Sequence, residues 1–356
     1  MEFRSARRDE RGGVLDLLAN WYGERDFFAR YNLNDPSFRD ELCIAALDGS
    51  RLVGTVQIFD RAIMLDGHRV PMGGIGSVFT LEQYRHRSIA SSMMKLAIET
   101  MERAGFEVSL LFAERITFYK QFGWREISRK FSVLAGRASL SFSSPDRFQI
   151  DSFDAVRDLP AVAAIHREYS GRLDVTALRD DDSWRASLAF AGNQPLHPGE
   201  GSDEYFVVCR AGETIEAYAR VTGFHGVAMV MEYGYRHGQI DAMLAILRYF
   251  GEVASRRPPT ARLAGDHRRS SLLYGDSKVA APGVIVTHSA HDPELEARLA
   301  SAGSPAMHHD DSFYMWRIIS RERLGRRLGL APEAAEARAF ELFASDRSLF
   351  WTSDRF

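Results

Sequence analysis

The sequence predicts an α+β fold of two tandem units, each a mixed sheet covered by helices, followed by a short helical C-terminal segment. Residues 1–145 place β-hairpins ahead of a strand–helix–strand–helix run, the order of a mixed sheet packed on helices. Residues 146–320 repeat that order with different side chains. The remaining 36 of the 356 residues, 321–356, are too few to build a further domain of ordinary size.

In the first unit, residues 12–22 have helical spacing and lead into an aromatic and acidic stretch, 21–40. Two β-runs follow, 43–48 and 51–59, with Asp48-Gly49 and Asp66-Gly67 as hairpin turn signals. Residues 75–80 read as a short buried strand beside Gly73, Gly74 and Gly76. Apolar residues at Ile89, Met93, Met94, Ala97, Ile98 and Met101 then mark one face of a helix. A strand over 108–113 closes the run.

In the second unit a helix over 161–167 precedes strands 205–210 and 215–222, joined by the turn Ala211-Gly212. A strand over 227–235, a helix over 240–255, a strand at 260–264, a helix near 270–275 and a strand over 312–319 complete it. In the last segment Leu324, Leu328, Leu330, Ala339, Phe340, Leu342 and Phe343 are the expected apolar anchors, and Pro332-Glu333 is a helix start. The aromatic end, Leu349 to Phe356, is expected to be packed, because burial of a large apolar side chain is worth roughly 1.5–3 kcal/mol.

Composition narrows the function. The formal charge is −3, so no global basic field favours nucleic acid or a membrane surface. No apolar run approaches a spanning helix, and the first residues lack a signal peptide's apolar core. Cys43 and Cys209 lie far apart in β-runs and are expected to be buried, reduced thiols, which points to the cytoplasm. Of the histidines, only His288/His291-Asp292 and His308-His309-Asp310-Asp311 have even loosely metal-like neighbours, and no metal is expected.

Between the strand ending at Thr80 and the helix beginning near Ile89 lies Tyr84-Arg85-His86-Arg87-Ser88, a basic turn placed where the first N–H groups of a helix point. Such a terminus attracts phosphate through those N–H groups and its positive dipole end. After the next strand comes Phe118-Tyr119-Lys120-Gln121-Phe122-Gly123-Trp124, which sets a phenol on a second helix. Each alone could be ordinary architecture, the first a plain strand–turn–helix and Tyr119 a core aromatic.

Together these two motifs resemble the acetyl-CoA core of the GCN5-related N-acetyltransferases (GNAT), whose loop reads Gln/Arg-x-x-Gly-x-Gly/Ala. Arg85 and Ala90 fill the outer slots, and Ser88 replaces the middle glycine. If that slot demands φ > 0, a serine stores roughly 1–3 kcal/mol of strain. The resemblance implies acetyl-CoA as co-substrate, held by Val78, Phe79, Thr80, Arg85, His86, Arg87, Ser88, Ile89, Ala90 and Ser91. A backbone N–H near Phe79 would polarise the thioester carbonyl, and Tyr119 would protonate the departing thiolate. After the strand 227–235, Arg236-His237-Gly238-Gln239 offers no such loop, so the second unit is read as a degenerate copy without cofactor.

An active unit, a degenerate unit and an aromatic C-terminus together resemble the Eis-like (enhanced intracellular survival) acetyltransferases. That resemblance implies that the α-carboxylate of Phe356 helps deprotonate the amine. An unperturbed α-carboxyl has a pKa of about 3.3–3.7, so the role needs burial or an intervening water. The sterol-carrier-like domain of that family is missing, which leaves a homo-oligomer open. The expected activity is acetyl transfer to a primary amine of a small molecule or peptide through a ternary complex. Trp21, Tyr22, Asp26, Phe27 and Phe28 are candidates for the acceptor side, where an aromatic and acidic mix suits an amine cation. The alternative is a non-catalytic acetyl-CoA binder or scaffold in which Ser88 impairs the loop.

Overall fold

A computed structural model describes residues 1–22, 25–29, 35–113, 115–135, 147–190, 204–222, 227–255, 283–286, 291–351 and 354. The expected strand 260–264, the helix 270–275, His288, and Arg355 and Phe356 lie outside these residues. Strands β1 (Glu2–Ser5), β2 (Cys43–Asp48), β3 (Arg51–Leu65), β4 (His68–Thr80) and β5 (Val108–Phe112) build the first unit, with helix α1 (Arg11–Tyr22) and the one-turn α2 (Arg25–Phe28) before β2. Helix α3 (Ile89–Ala104) joins β4 to β5, and α4 (Ile116–Lys120) leads into β6 (Arg125–Ala135).

The β3–β4 hairpin is longer than the periodicity suggests, because β3 continues past Phe59 to Leu65. Its turn is the expected Asp66-Gly67, both at positive φ (51° and 79°), the conformation a two-residue hairpin needs. Helix α3 lies on this hairpin where side chains are absent. A Cβ on Gly54 would stand 2.9 Å from Met93 Cε and 3.1 Å from the Phe79 carbonyl oxygen.

The second unit comprises β7 (Phe148–Ser152), α5 (Ala155–Ser170), β8 (Val175–Ala177), α6 (Asp181–Phe190), β9 (Glu204–Ala211), β10 (Thr214–Thr222), β11 (Val227–Tyr235), α7 (Ile240–Ser255), β12 (Gly283–Val286), α8 (Pro293–Ser301) and β13 (Met307–Ile318). Each unit contains one parallel pair, β4 with β5 and β11 with β12, as the repeated order requires. The strands nevertheless form one sheet, in the order β1-β2-β3-β4-β5-β13-β6-β12-β11-β10-β9-β7. Strand β13 inserts between β5 and β6, and β12 pairs with β6. Residues of the second half therefore complete the sheet of the first.

Helices α9 (Arg321–Leu328) and α10 (Pro332–Ala344) and the two-residue β14 (Ser348–Leu349) end the chain. Leu324, Ala339, Leu342 and Phe343 are buried against Met72, Leu110 and Trp316 of the sheet. Leu330 departs from expectation at 41% exposed, because it falls in the turn after Gly329, which closes α9 in the left-handed region (φ 68°). Leu349, Phe350 and Trp351 of the aromatic end are buried, as expected. Cys43 and Cys209 are free and buried. Asp292 takes hydroxyl hydrogen bonds from Tyr169, Tyr233 and Tyr235 and caps α8 through the Leu295 N–H. Among the described residues no group of three His, Cys, Asp or Glu could hold a metal, and no helix is long and apolar enough to cross a membrane.

Candidate active site

The site begins where two parallel strands part. Pairing of β4 with β5 runs from Met72↔Val108 to Ile75↔Leu111; β5 then ends at Phe112, while β4 continues to Thr80. Beyond Ile75 the register with β5 ends, and β4 stays paired with β3. The register there shifts from Thr55↔Phe79 to Gln57↔Gly76, which places a bulge at Ser77-Val78, and Ser77 takes φ 49°. A bulge re-aims the backbone groups beside it. Sequence periodicity did not single out Ser77, because its signature is a dihedral angle rather than a side-chain type.

Val78 is half-buried and Phe79 is packed against α1. The Thr80 hydroxyl oxygen is buried without a hydrogen-bond partner, and the Thr80 carbonyl accepts from Arg85 Nε at 3.4 Å. Arg85, His86, Arg87 and Ser88 are exposed. Arg87 lies over the Tyr84 ring at 5.3 Å, and the Tyr84 hydroxyl donates to Asp48 at 3.0 Å. The turn is thus braced through Tyr84 with its cations outward.

Ser88 is the N-cap of α3 in the left-handed conformation, φ 58° and ψ 15°, and caps no N–H with its side chain. The slot does demand positive φ, as the family glycine would. His86 shares that region, φ 63°. The first-turn N–H groups of Ile89, Ala90 and Ser91 have no side-chain cap, so a helix terminus with two flanking arginines is free to receive an anion. These residues fit a pyrophosphate-bearing acyl-CoA.

Tyr119 is half-buried on α4, edge-on to Phe118 at 5.0 Å. Val78, Tyr84, Phe118 and Tyr119 pack against one apolar cluster that contains Ile89 and Met93. Burial pushes the Tyr119 hydroxyl up to about 12, opposed by Arg115. It therefore carries its proton throughout the neutral range, as a proton donor must. Of the acceptor-side candidates, Phe28 is buried among Val14, Leu18 and Phe79 and is packing, whereas the side chains of Trp21, Tyr22, Asp26 and Phe27 lie outside the described residues.

β14 runs parallel to β8, with Leu349 opposite Thr176. β8 is antiparallel to β3, with Leu65 opposite Val175 and Ile63 opposite Ala177. β14 thus runs in the direction in which β3 counts down from Leu65 to Ile63. Phe350 lies 5.9 Å from Phe112, the last residue of β5. Asp354 is the final described residue, two short of Phe356. A groove of about 920 Å³ is lined by Lys120, Trp124, Arg125, Arg317, Arg321 and Glu336.

Comparison with known proteins agrees with this geometry. Residues 2–127 match the family model described as an acetyltransferase (GNAT) domain. No curated protein sequence matches the chain. Among solved structures, a probable N-acyltransferase of unknown function from Enterococcus faecalis superposes with a TM-score of 0.65 at 14% identity, covering 92% of this chain and 74% of that one. A GCN5-related N-acetyltransferase from Kribbella flavida gives 0.60 at 18%, covering 89% and 70%. Eis1 from Mycobacterium abscessus gives 0.55 at 13%, covering 90% and 74%. At these identities the likeness is one of fold, and it spans both units.

Proposed function

We propose, from the match of residues 2–127 to a GNAT acetyltransferase domain model, an N-acyltransferase that moves the acetyl group of acetyl-CoA to a primary amine of a small molecule or peptide. The observation that carries this reading is the end of β4–β5 pairing at Ile75↔Leu111, beside a helix whose N-terminal N–H groups are uncapped behind a left-handed Ser88. An acyl-pantetheine arm can lie alongside β4 where its pairing with β5 ends, with its pyrophosphate on the helix terminus.

The amine attacks the thioester carbonyl carbon while a β4 N–H near Phe79 hydrogen-bonds the developing oxyanion. The C–S bond then breaks, and the thiolate takes the Tyr119 proton. The surplus ammonium proton passes to a base, which we assign to the Phe356 α-carboxylate, directly or through a water. Residues 1–145 are the catalytic unit, 146–320 the degenerate one, and 321–356 the segment that brings the terminus to the cleft. Two buried free thiols suit a reducing, cytoplasmic setting, and the acidic balance gives no support to a nucleic-acid partner.

Calorimetric titration with acetyl-CoA, followed by thiol release in the presence of spermidine, kanamycin and a lysine peptide, tests the proposal. One site per chain with micromolar affinity, about −8 kcal/mol, and amine-dependent thiol release are expected. Binding with no release by any amine class would favour the non-catalytic alternative; absence of binding would reject both.

A further inference from the structure

The second unit lacks a cofactor loop, yet it contains a densely buried charge cluster. Arg179, just past β8, is 3% exposed and donates from Nη1 and Nη2 to the two oxygens of Glu232 on β11 at 2.7 and 3.0 Å. Glu232, fully buried, also accepts from the Tyr218 hydroxyl at 2.9 Å, and Arg220 stands 3.7 Å from it. The Arg179 guanidinium lies over the Trp184 ring at 4.7 Å, and Trp184 meets the ring of buried His166 edge-on. Arg179 Nε donates to Asp354 Oδ1 at 2.6 Å, and its Nη2 stands 2.6 Å from the same oxygen.

Asp354 belongs to neither strand nor helix core. It is two residues from the C-terminus and 91% buried, and its second oxygen is buried without a partner. Burial favours its protonated form and Arg179 opposes this. A carboxylate taken this far from water is tolerated only against a fixed cation. Arg179 is fixed, being clamped by Glu232 and backed by Trp184. The same short strand that precedes it, β8, holds β3 on one edge and β14 on the other.

We propose that the degenerate unit serves as the anchor of the C-terminal segment. Arg179, locked on Glu232, holds Asp354 and so fixes the point from which the last two residues depart. Arg179 is a positioning residue for proton removal, acting through the tail. The inference rests on the reading of the Phe356 carboxylate as base.

The test uses Asp354→Asn, which keeps side-chain shape, alongside Arg179→Lys, a deletion of Arg355 and Phe356, and the deletion combined with Asp354→Asn, all in the full chain. Hydrogen exchange is read over residues 348–351, and acetyl-CoA affinity, kcat and its pH profile are measured with the fastest amine of the panel. Asp354→Asn is expected to speed exchange there by about tenfold or more, since removing one partner of a buried pair strands the other. It should lower kcat while leaving acetyl-CoA affinity within about twofold, and lower it no further once the terminus is deleted. Unchanged exchange in both Asp354→Asn and Arg179→Lys would overturn the anchor. Additive losses of kcat in the combined variant would overturn action through the tail. A deletion that alone leaves kcat and its pH profile intact would instead remove the terminal base from the proposed function, and the exchange data would still judge the anchor by itself.

Discussion

Ser88 adopts φ 58°, so the folded protein bears the strain of a left-handed serine. Ser88→Gly should therefore raise stability by about 1 kcal/mol and leave acetyl-CoA affinity within about threefold; thermal melts and calorimetry check the two halves. A large gain in affinity with no gain in stability would mean that the loop reaches this conformation only when it binds. Tyr119→Phe should reduce kcat by about 10²-fold or more with unchanged acetyl-CoA affinity. Because burial pushes the phenol up to about 12, the wild-type rate should show no alkaline loss from this group below about pH 11. His166 is buried, its Nε2 lacks a partner, and burial pushes its pKa down to about 3. Between about pH 6.5 and 3 the unfolded chain binds a proton that the native ring refuses, so stability falls as pH drops through that window, by up to ~1.4 kcal/mol per unit. His166→Phe should flatten the decline in melting temperature between pH 7 and 5; an unaltered decline would show that other groups carry it.

At the scale of elements, α3 is held at the cleft by the missing side chain of Gly54, opposite Met93 and the Phe79 carbonyl. Gly54→Ala should cost about 1–3 kcal/mol in urea unfolding and weaken acetyl-CoA binding, because relief of the clash displaces the helix start or the bulged end of β4. Loss of stability without loss of affinity would separate the packing from the site. The helix was legible because Ile89, Met93, Met94, Ala97 and Met101 recur at its period, and the hairpin because Asp66-Gly67 meets the demand of its turn. The bulge at Ser77 was not, since it depends on which strand lies alongside, and the parting of β4 from β5 was implied by the family resemblance alone. Arg179, Glu232 and Asp354 were missed for a related reason: 53 residues separate the first two and 175 the first from the last, and no local spacing marks such a pair.

The whole molecule is one sheet in which β13 lies between β5 and β6, so the first unit draws a strand from residues 307–318. A fragment ending at residue 145 should fail to fold, because β5 and β6 would each expose an unpaired edge and Tyr314, Met315 and Trp316 would be missing from two apolar clusters. Circular dichroism and size-exclusion of that fragment check this. A cooperative melt in the isolated fragment would show that the strand is dispensable. The same topology gives the second unit a structural task, since its β13 completes the sheet of the first and its β8 lies between β3 and β14.

By itself the sequence determined the α+β class, the repeated order of elements, the basic turn before α3, the phenol after β5 and the packed aromatic end. These are properties of neighbouring residues: periodicity, turn chemistry and helix termini act over a few positions and leave a readable trace. Only the tertiary structure decided that the two units share a sheet, that β4 and β5 part after Ile75, that Ser88 is left-handed, and that Asp354 is held by a buried arginine of the other unit. Each of these is set by partners far away in the chain, where pairing is chosen by burial and charge compensation in three dimensions.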